Sequence, residues 1–186
     1  MQSSDSLRIT GKIIIRSYPA GTLHLYETLR DLGKLDQARA LLADGKIEVE
    51  QNNLIVDSSN YGIDILVQYL ISAYNGSTPF PLGIAWGEIG TGTTTPAAGD
   101  TALTTPTNRA TVAYAADSGF NTAQLQFFFP DAFLANEDYY ECGSFIGGTS
   151  TIGSGNMFNH ALFLTPYSKS AGTDSTLEID ITLANS

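Results

Sequence analysis

Apolar and polar side chains alternate along several short stretches of the chain, which is typical of half-buried β-strands. The clearest alternation spans Thr176–Leu183, where four aliphatic residues share one face: Leu177, Ile179, Ile181 and Leu183. Glu178 and Asp180 are expected on the opposite, solvated face. Leu7–Ser17 alternates in the same way. Further strands are predicted over Lys46–Glu50, Leu54–Val56, Gly83–Gly87, Ala110–Ala115, Thr122–Phe129, Tyr139–Ile146 and Met157–Leu164.

Two other stretches have the three-to-four-residue spacing of amphipathic helices. The first is Glu27–Asp44, where a break is expected at Gly33 because glycine costs about 1 kcal/mol relative to alanine inside a helix. The second and more regular stretch is Ile63–Tyr74, which ends before Asn75-Gly76. Between Leu7–Ser17 and the first helix, a turn at Tyr18–Gly21 suggests a hairpin that returns along Thr22–Tyr26.

These elements predict a mainly β protein with two helices. We expect an antiparallel β-sandwich or jelly-roll-like domain, with the helix Ile63–Tyr74 packed at its end. A chain of 186 residues accommodates one such domain with an appendage. The predicted division is an N-terminal docking appendage of strand, turn and helix at 1–46, and a β-sandwich domain at 47–186.

The charge distribution divides the chain at the same place. The formal net charge is −10, which disfavours binding to a nucleic-acid backbone. Residues 1–46 nevertheless carry a net charge of +2, whereas the remainder carries −12. We therefore predict that Arg30, Lys34 and Arg39 dock on an acidic neighbour, since such charges orient a complex as it forms.

Phe128 is a further candidate contact residue. In the strand Thr122–Phe129, alternation places Leu125, Phe127 and Phe129 in the core and directs Phe128 to the other face. An outward phenylalanine indicates either a contact surface for a partner or a site covered by the N-terminal region.

Other features exclude several classes of protein. The single cysteine, Cys142, leaves no intramolecular disulfide framework. No apolar run approaches the roughly 20 residues of a membrane-spanning helix, and no signal-peptide pattern is present. We expect neither a membrane partner nor a cleaved leader.

A long uncharged loop follows the strand at Gly83–Gly87. Gly90 and Gly92 suit either a positive φ or a close backbone approach, and Asp100 is placed to end the loop by bonding its own backbone. A phosphate-binding reading fails because Pro96 and a run of Thr and Ala follow, where a helix would have to begin. No nucleotide or other cofactor is predicted.

No catalytic or metal-binding constellation stands out. His24 and His160 are the only histidines, and we interpret His160 as a half-buried strand residue and Cys142 as an inert buried thiol. Glu178 and Asp180 share a strand face, but no calcium-binding loop pattern accompanies them. A glycosidase using Glu137 or Glu141 is the remote enzymatic alternative. The sequence therefore predicts neither an enzyme nor a metal site.

Arg109 is expected to have a structural role. Arg109 and Lys169 are the only lysine or arginine residues after Lys46, and Arg109 lies where an apolar strand begins. A charge partly removed from water requires a paired and hydrogen-bonded partner. Asp100 and Glu141 are the two candidates, and we favour Glu141, which would hold the Gly90–Gly99 loop against the sheet.

Several motifs occur in an order that resembles a family of small bacteriophage virion proteins. These are the segment Asn53–Asp57 before a helix, the stretch Gly90–Leu103, Arg109, Glu141–Phe145, and Met157-Phe158. The resemblance covers roughly Ile47 to Leu183. It implies a non-enzymatic structural component of a phage particle, located in the virion and associated with the tail, its fibres or its baseplate. The implied partners are other virion proteins and further copies of the chain.

Two alternatives to this assignment remain open. The first is a capsid decoration or head-fibre protein. The second is a host-receptor or glycan-binding module, in which Trp86, Tyr139 and Tyr140 would be the residues that stack on a sugar.

Overall fold

The structure is a computed structural model that describes residues 7–56, 62, 83–119 and 121–185. Within this part of the chain, two helices and a 3₁₀ turn are formed: α1 (Thr22–Asp31), α2 (Leu35–Ala43) and Asp131–Phe133. The strands are β1 (Leu7–Pro19), β2 (Lys46–Ile55), β3 (Ile84–Gly90), β4 (Pro106–Asp117), β5 (Thr122–Phe129), β6 (Asp138–Ile146), β7 (Asn156–Ser168) and β8 (Thr173–Asn185). The predicted helix Ile63–Tyr74 lies outside the described residues.

The eight strands close into an antiparallel barrel in the order β1-β2-β7-β6-β3-β4-β5-β8, with β8 returning to β1. The predicted open sandwich or jelly roll is therefore wrong. Closure depends on the short seam between β2 and β7, where two residue pairs, Leu54 with His160 and Ile55 with Asn159, are in register. Further along this seam, the Gln51 side-chain amide bonds both the Leu162 carbonyl (2.6 Å) and the Leu164 N–H (2.8 Å).

β1 is an integral strand of the barrel. It pairs with β8 over its whole length, from Leu7 with Asn185 to Pro19 with Thr173, and with β2 from Gly11 to Ser17. The predicted division at residue 46 would separate this strand from both of its neighbours. Residues 7–19 therefore belong to the β domain, and the N-terminal region is not a separate appendage.

The largest hydrophobic cluster fills the barrel interior. Each strand supplies side chains to it, and the largest of those that are almost fully buried are Ile13, Ile15, Ile89, Phe127, Phe129, Tyr139, Tyr167 and Leu177. Cys142 lies in the same cluster and is completely buried, as expected of an inert thiol. The period-two pattern of β8 is confirmed for Leu177, Ile179 and Ile181, while Leu183 is exposed at the barrel end.

The two N-terminal helices form a hairpin that covers the outside of the barrel. Gly33, with φ of +73°, lies in the turn between α1 and α2, so the predicted break is confirmed. Thr22–Tyr26 begins α1 and is not the returning strand predicted from the sequence. Asp174 of β8 accepts a hydrogen bond from the Leu23 N–H at 2.9 Å, which satisfies one free donor of the first helical turn.

Phe128 points outwards, as predicted, but it is covered by this hairpin. Its ring meets that of Tyr26 edge-on at 5.0 Å, in a second cluster that also holds Tyr18, Leu23, Ala38 and Leu42. The exposed fraction of Phe128 is 8%. It therefore stabilises the helix–barrel contact and is not available as an exposed contact residue.

The same hairpin explains the burial of Glu178. Its side chain is on the outer face of β8, as alternation predicts, yet only 4% of the residue is exposed. The sequence prediction of a solvated outer face is wrong here because α1 and α2 shield it.

In the described part of the chain, no helix is long and apolar enough to cross a membrane.

Candidate functional site

A row of residues in register crosses four neighbouring strands on another part of the outer barrel surface. Arg109 on β4 is opposite Glu88 on β3, Glu88 is opposite Gly143 on β6, and Gly143 is opposite His160 on β7. Residues directly opposite each other in a sheet share a face. Three of these four side chains are ionisable, and all three are buried.

Arg109 and Glu88 form a buried ion pair that holds the loop at residues 147–155. The Arg109 guanidinium bonds Glu88 Oε1, the Thr149 carbonyl (2.9 Å) and the Ser154 carbonyl (2.6 Å). The Gly153 N–H donates to the same Glu88 oxygen at 2.6 Å. This loop, which we name the glycine–serine loop, is thus bound through its backbone to both charges.

Two aromatic rings pack against the Arg109 guanidinium. Its Cζ lies 4.8 Å from the centroid of Phe145 and 5.0 Å from that of Trp86. A guanidinium that loses contact with water is stabilised by the negative faces of such rings. The side chains of Arg109 and Glu88 are 1% and 0% exposed, so this pair is far less screened by solvent than a surface ion pair.

Glu141 holds a second loop, at residues 91–105, which we name the threonine loop. Its carboxylate accepts hydrogen bonds from three backbone N–H groups: Thr105 at 2.6 Å, Thr104 at 3.0 Å and Gly92 at 3.2 Å. His160 Nε2 lies 3.0 Å from Glu141 Oε2. Burial raises the pKa of the Glu141 carboxyl, but the hydrogen bonds from His160, Thr105 and Thr104 outweigh it and hold this pKa below its usual range.

His160 connects Glu141 to Asp100 in the same loop. Its Nδ1 lies 2.7 Å from Asp100 Oδ2, so a carboxylate faces each ring nitrogen. Burial lowers the pKa of His160, whereas the hydrogen bonds to Glu141 and Asp100 raise it more strongly, and the net shift is upwards. The doubly protonated imidazolium, which donates at both nitrogens, matches this pair of acceptors.

Gly90 and Gly92 permit the backbone to approach the Glu141 carboxylate closely. A Cβ at Gly90 would lie 2.9 Å from Glu141 Oε1, and one at Gly92 would lie 2.7 Å from Glu141 Cδ. Neither glycine has a positive φ. Of the two reasons predicted for these glycines, close approach is therefore the one that applies. Asp100 accepts the Ala97 N–H at 2.8 Å, as predicted for the end of the loop.

The predicted pairing of Arg109 with Glu141 is wrong. Glu141 and Arg109 are both buried, but they belong to separate clusters and hold separate loops. The sequence analysis missed Glu88 as the partner. The available signal was a glutamate directly after the short apolar strand predicted at Gly83–Gly87. The register that places it opposite Arg109 is not visible in the sequence.

The predicted basic contact residues lie on the helical hairpin. Lys34 and Arg39 are exposed, and the Arg39 Cζ lies 5.7 Å from the ring centroid of Tyr114. Arg30 is half-buried and bonds its neighbour Asp31 at 3.1 Å. Leu25, Leu32 and Leu35 are exposed on the same hairpin, so the positive charges are accompanied by apolar surface.

The hydrogen bonds found in these clusters go to the chain's own loops and to one another. Among the described residues, the side chains bonded to His160 are two carboxylates, Asp100 and Glu141, and no hydroxyl or thiol is bonded to it. Burial raises the pKa of the Cys142 thiol, which disfavours the reactive thiolate. Within the described residues, no group of three or more ligating side chains is placed to hold a metal ion.

The predicted sugar-stacking residues are largely occupied. Trp86 packs against Arg109, and Tyr139 is completely buried with its ring 6.3 Å from that of Tyr167. Tyr140 is half-buried.

No known protein family, curated protein or solved structure matches this chain.

Proposed function

We propose that this chain is a non-enzymatic structural component of a bacteriophage virion, associated with the tail and assembling through protein–protein contacts. Two arguments support the proposal. The order of motifs from Ile47 to Leu183 resembles that of small phage virion proteins. The buried charges of the outer barrel surface bind the chain's own loops and leave the loop surfaces themselves uncharged.

The observation that carries the proposal is the way the two loops are held. The glycine–serine loop has no charged side chain, and the threonine loop has one, Asp100, which is engaged with His160. Thr93–Thr95 and Thr149–Ile152 are exposed, so both loops present neutral surface to the surroundings. Interface cores are depleted of charge, and loops that are already ordered lose less conformational entropy on binding.

The basic hairpin is the second proposed contact. Lys34 and Arg39 are exposed on the helical hairpin and Arg30 is half-buried there, whereas residues 47–186 are strongly acidic. An adjacent copy of the chain supplies a suitable acidic surface. Charge pairing of this kind sets orientation and association rate more than affinity.

Mass spectrometry of gradient-purified particles, from the phage or prophage that encodes the chain, tests the proposal. The chain should co-purify with the particle at a fixed stoichiometry, and a cryo-electron microscopy map should show it on the tail. Density on the capsid instead would favour a decoration or head-fibre protein. A chain that stays in the soluble fraction of the lysate would contradict the proposal.

One variant, with a matched control, tests the threonine loop as a contact surface without disturbing the barrel. Thr94→Lys places a charge on the exposed threonine loop and should prevent incorporation into the particle. Thr165→Lys adds the same charge on the exposed part of β7 and is the matched control. If both variants are incorporated as efficiently as the wild type, the threonine loop is not a contact surface.

A further inference from the structure

A polar cavity of about 270 Å³ lies between the helical hairpin and the outer face of the barrel. Gln126 on β5 and Glu178 on β8, which are opposite each other in register, belong to its barrel side. Arg39 and Ala43 of α2 belong to its helical side and are exposed, so the cavity reaches solvent. None of the residues that hold the two loops lines this cavity.

The barrel side of the cavity contains a buried amide with unused hydrogen-bonding capacity. Gln126 is 8% exposed, and its Nε2 donates to Glu178 Oε2 at 2.6 Å. Its Oε1 is buried and has no hydrogen-bond partner among the described residues. An unpaired buried acceptor is costly, so a hydrogen bond from a ligand hydroxyl to this oxygen would be favourable.

Arg16 and Glu178 offer a charged donor and acceptor at a suitable separation. Arg16 Nη2 lies 3.9 Å from Glu178 Oε1, which is beyond hydrogen-bonding distance. Burial raises the pKa of Glu178 and the charge of Asp180 adds to this, while Gln126, Arg16 and Lys12 offset it only in part. Two adjacent hydroxyl groups could bond the guanidinium with one oxygen and the carboxylate with the other.

An aromatic residue and a second guanidinium complete the lining. Tyr114 on β4 is half-buried, and Arg39 packs over its ring. Gln124 adds a further amide. Amides, a carboxylate and guanidinium groups beside an aromatic ring form a donor and acceptor set that suits a hydroxyl-rich ring. This set is too polar for an acyl chain, and its buried carboxylate disfavours a phosphate.

We propose that this cavity binds a single sugar residue, such as the terminal unit of a glycan, through Arg16, Gln126 and Glu178, with Tyr114 and Arg39 at its rim. The volume is close to the lower end of the range for small-molecule pockets, about 300 Å³, which limits the ligand to one ring. The inference does not depend on a place in the virion, because the site would bind sugar in the isolated chain.

Titration of the ¹⁵N-labelled full chain, followed by amide chemical shifts, tests this inference. D-glucose, D-galactose, N-acetyl-D-glucosamine and L-rhamnose are added separately at millimolar concentrations. At least one should give saturable shifts at the backbone amides of Gln126, Glu178 and Tyr114. Ethylene glycol at the same hydroxyl concentration is the control for non-specific effects and should give no saturable shift there.

Two variants assign the binding to the cavity. Gln126→Leu removes the buried amide, and Arg39→Met removes a guanidinium from an exposed position where the fold is not at risk. Each should weaken binding roughly ten-fold, as expected for a lost hydrogen bond to or from a buried or charged group. Gln37→Leu makes the same change as Gln126→Leu at an exposed residue of α2 outside the cavity, and should bind like the wild type.

The possible results of this titration either support or overturn the sugar site. Saturable shifts that weaken in Arg39→Met and in folded Gln126→Leu, but persist in Gln37→Leu, support the site. The inference is overturned if none of the four sugars gives saturable shifts at the cavity, or if the shifts survive both cavity variants. Saturable shifts confined to Tyr140 and its neighbours would place sugar binding elsewhere and would also overturn it.

Discussion

At the scale of single residues, four buried ionisable side chains anchor two loops. Glu88 and Arg109 bind the glycine–serine loop, and Glu141 and His160 bind the threonine loop. Apart from Asp100, the side chains of both loops are neutral, so the loops offer mainly backbone groups for such contacts. Buried charges that are paired and also bonded to those groups hold the loop without placing a charge on its surface.

Removing one partner of the Glu88–Arg109 pair leaves the other charge buried and unpaired. Arg109→Met should therefore reduce the free energy of unfolding by about 3–5 kcal/mol. The double variant Arg109→Met/Glu88→Leu should lose clearly less than the sum of the two single changes, as measured by urea denaturation. In contrast, the losses from Arg109→Met and Glu141→Gln should add, because these residues share no hydrogen-bond partner. Coupling between Arg109 and Glu141, with none between Arg109 and Glu88, would contradict the assigned pairs.

The pH dependence of stability should reveal the charge on His160. Its pKa in the folded chain is raised above the ordinary value of 6.5, so folding favours the protonated form. The resulting stabilisation is fully present below pH 6.5 and is lost as the pH rises through the folded-state pKa. The stability advantage of the wild type over His160→Gln should shrink over that range. A constant difference between the two, measured by denaturation across neutral to alkaline pH, would show that the imidazole is not charged in the fold.

From the sequence, it was easier to predict that a buried charge needs a partner than to identify that partner. The rarity of cations after Lys46 indicated that Arg109 requires a carboxylate, but the two candidates considered, Asp100 and Glu141, did not include the actual partner Glu88. Only the strand register distinguishes Glu88 from them. His160 was interpreted as a half-buried strand residue because no second histidine or cysteine lies near enough in the sequence to form a site. Its two partners in the fold, Glu141 and Asp100, are 19 and 60 residues away in the chain.

At the scale of elements, the threonine loop depends on the absence of side chains at two points. Gly92→Ala should destabilise the chain by about 1–3 kcal/mol, since the added methyl group would overlap the Glu141 carboxylate. Gly99→Ala is the matched control in the same loop, where a Cβ meets nothing within 4 Å and φ is not positive. It should be neutral or stabilising by up to about 1 kcal/mol. Equal losses in thermal or chemical denaturation would show that the loop is not packed on Glu141.

The elements themselves were largely predictable because their signals are local. Alternation located the described strands, with Thr122–Phe129 matching β5 from end to end, and Gly33 marked the break between the helices. The failure at Thr22–Tyr26 has a physical reason. A turn signal at Tyr18–Gly21 fits either a hairpin or the start of a helix, and the Asp174 carboxylate that receives the Leu23 N–H is supplied by a distant strand.

At the scale of the whole molecule, the described strands form one closed sheet. A sandwich and a barrel require the same alternation in each strand, so the pattern cannot distinguish them. The difference lies in the seam between β2 and β7, which is closed by two residue pairs and the Gln51 amide. The position of β1 between β2 and β8 is equally invisible in the local pattern.

Closure makes the N-terminal strand essential to the fold. A chain beginning at residue 47 lacks β1 and exposes one edge each of β2 and β8, together with the outer face beneath the helical hairpin. It should show no cooperative thermal unfolding transition, whereas the full chain should show one. Cooperative unfolding of the shortened chain, together with native-like dispersion of its amide resonances, would restore the boundary at residue 46.

The central claim, that buried charges hold two neutral loops as rigid surfaces, is tested most directly by native-state amide hydrogen exchange. In the wild type, the amides of Gly92, Thr104, Thr105 and Gly153 should be protected despite lying in loops. His160→Gln should reduce protection in the threonine loop alone, and Arg109→Met should reduce it at Gly153 alone. Exchange of these four amides at the rates of unstructured peptide in the wild type would contradict the claim.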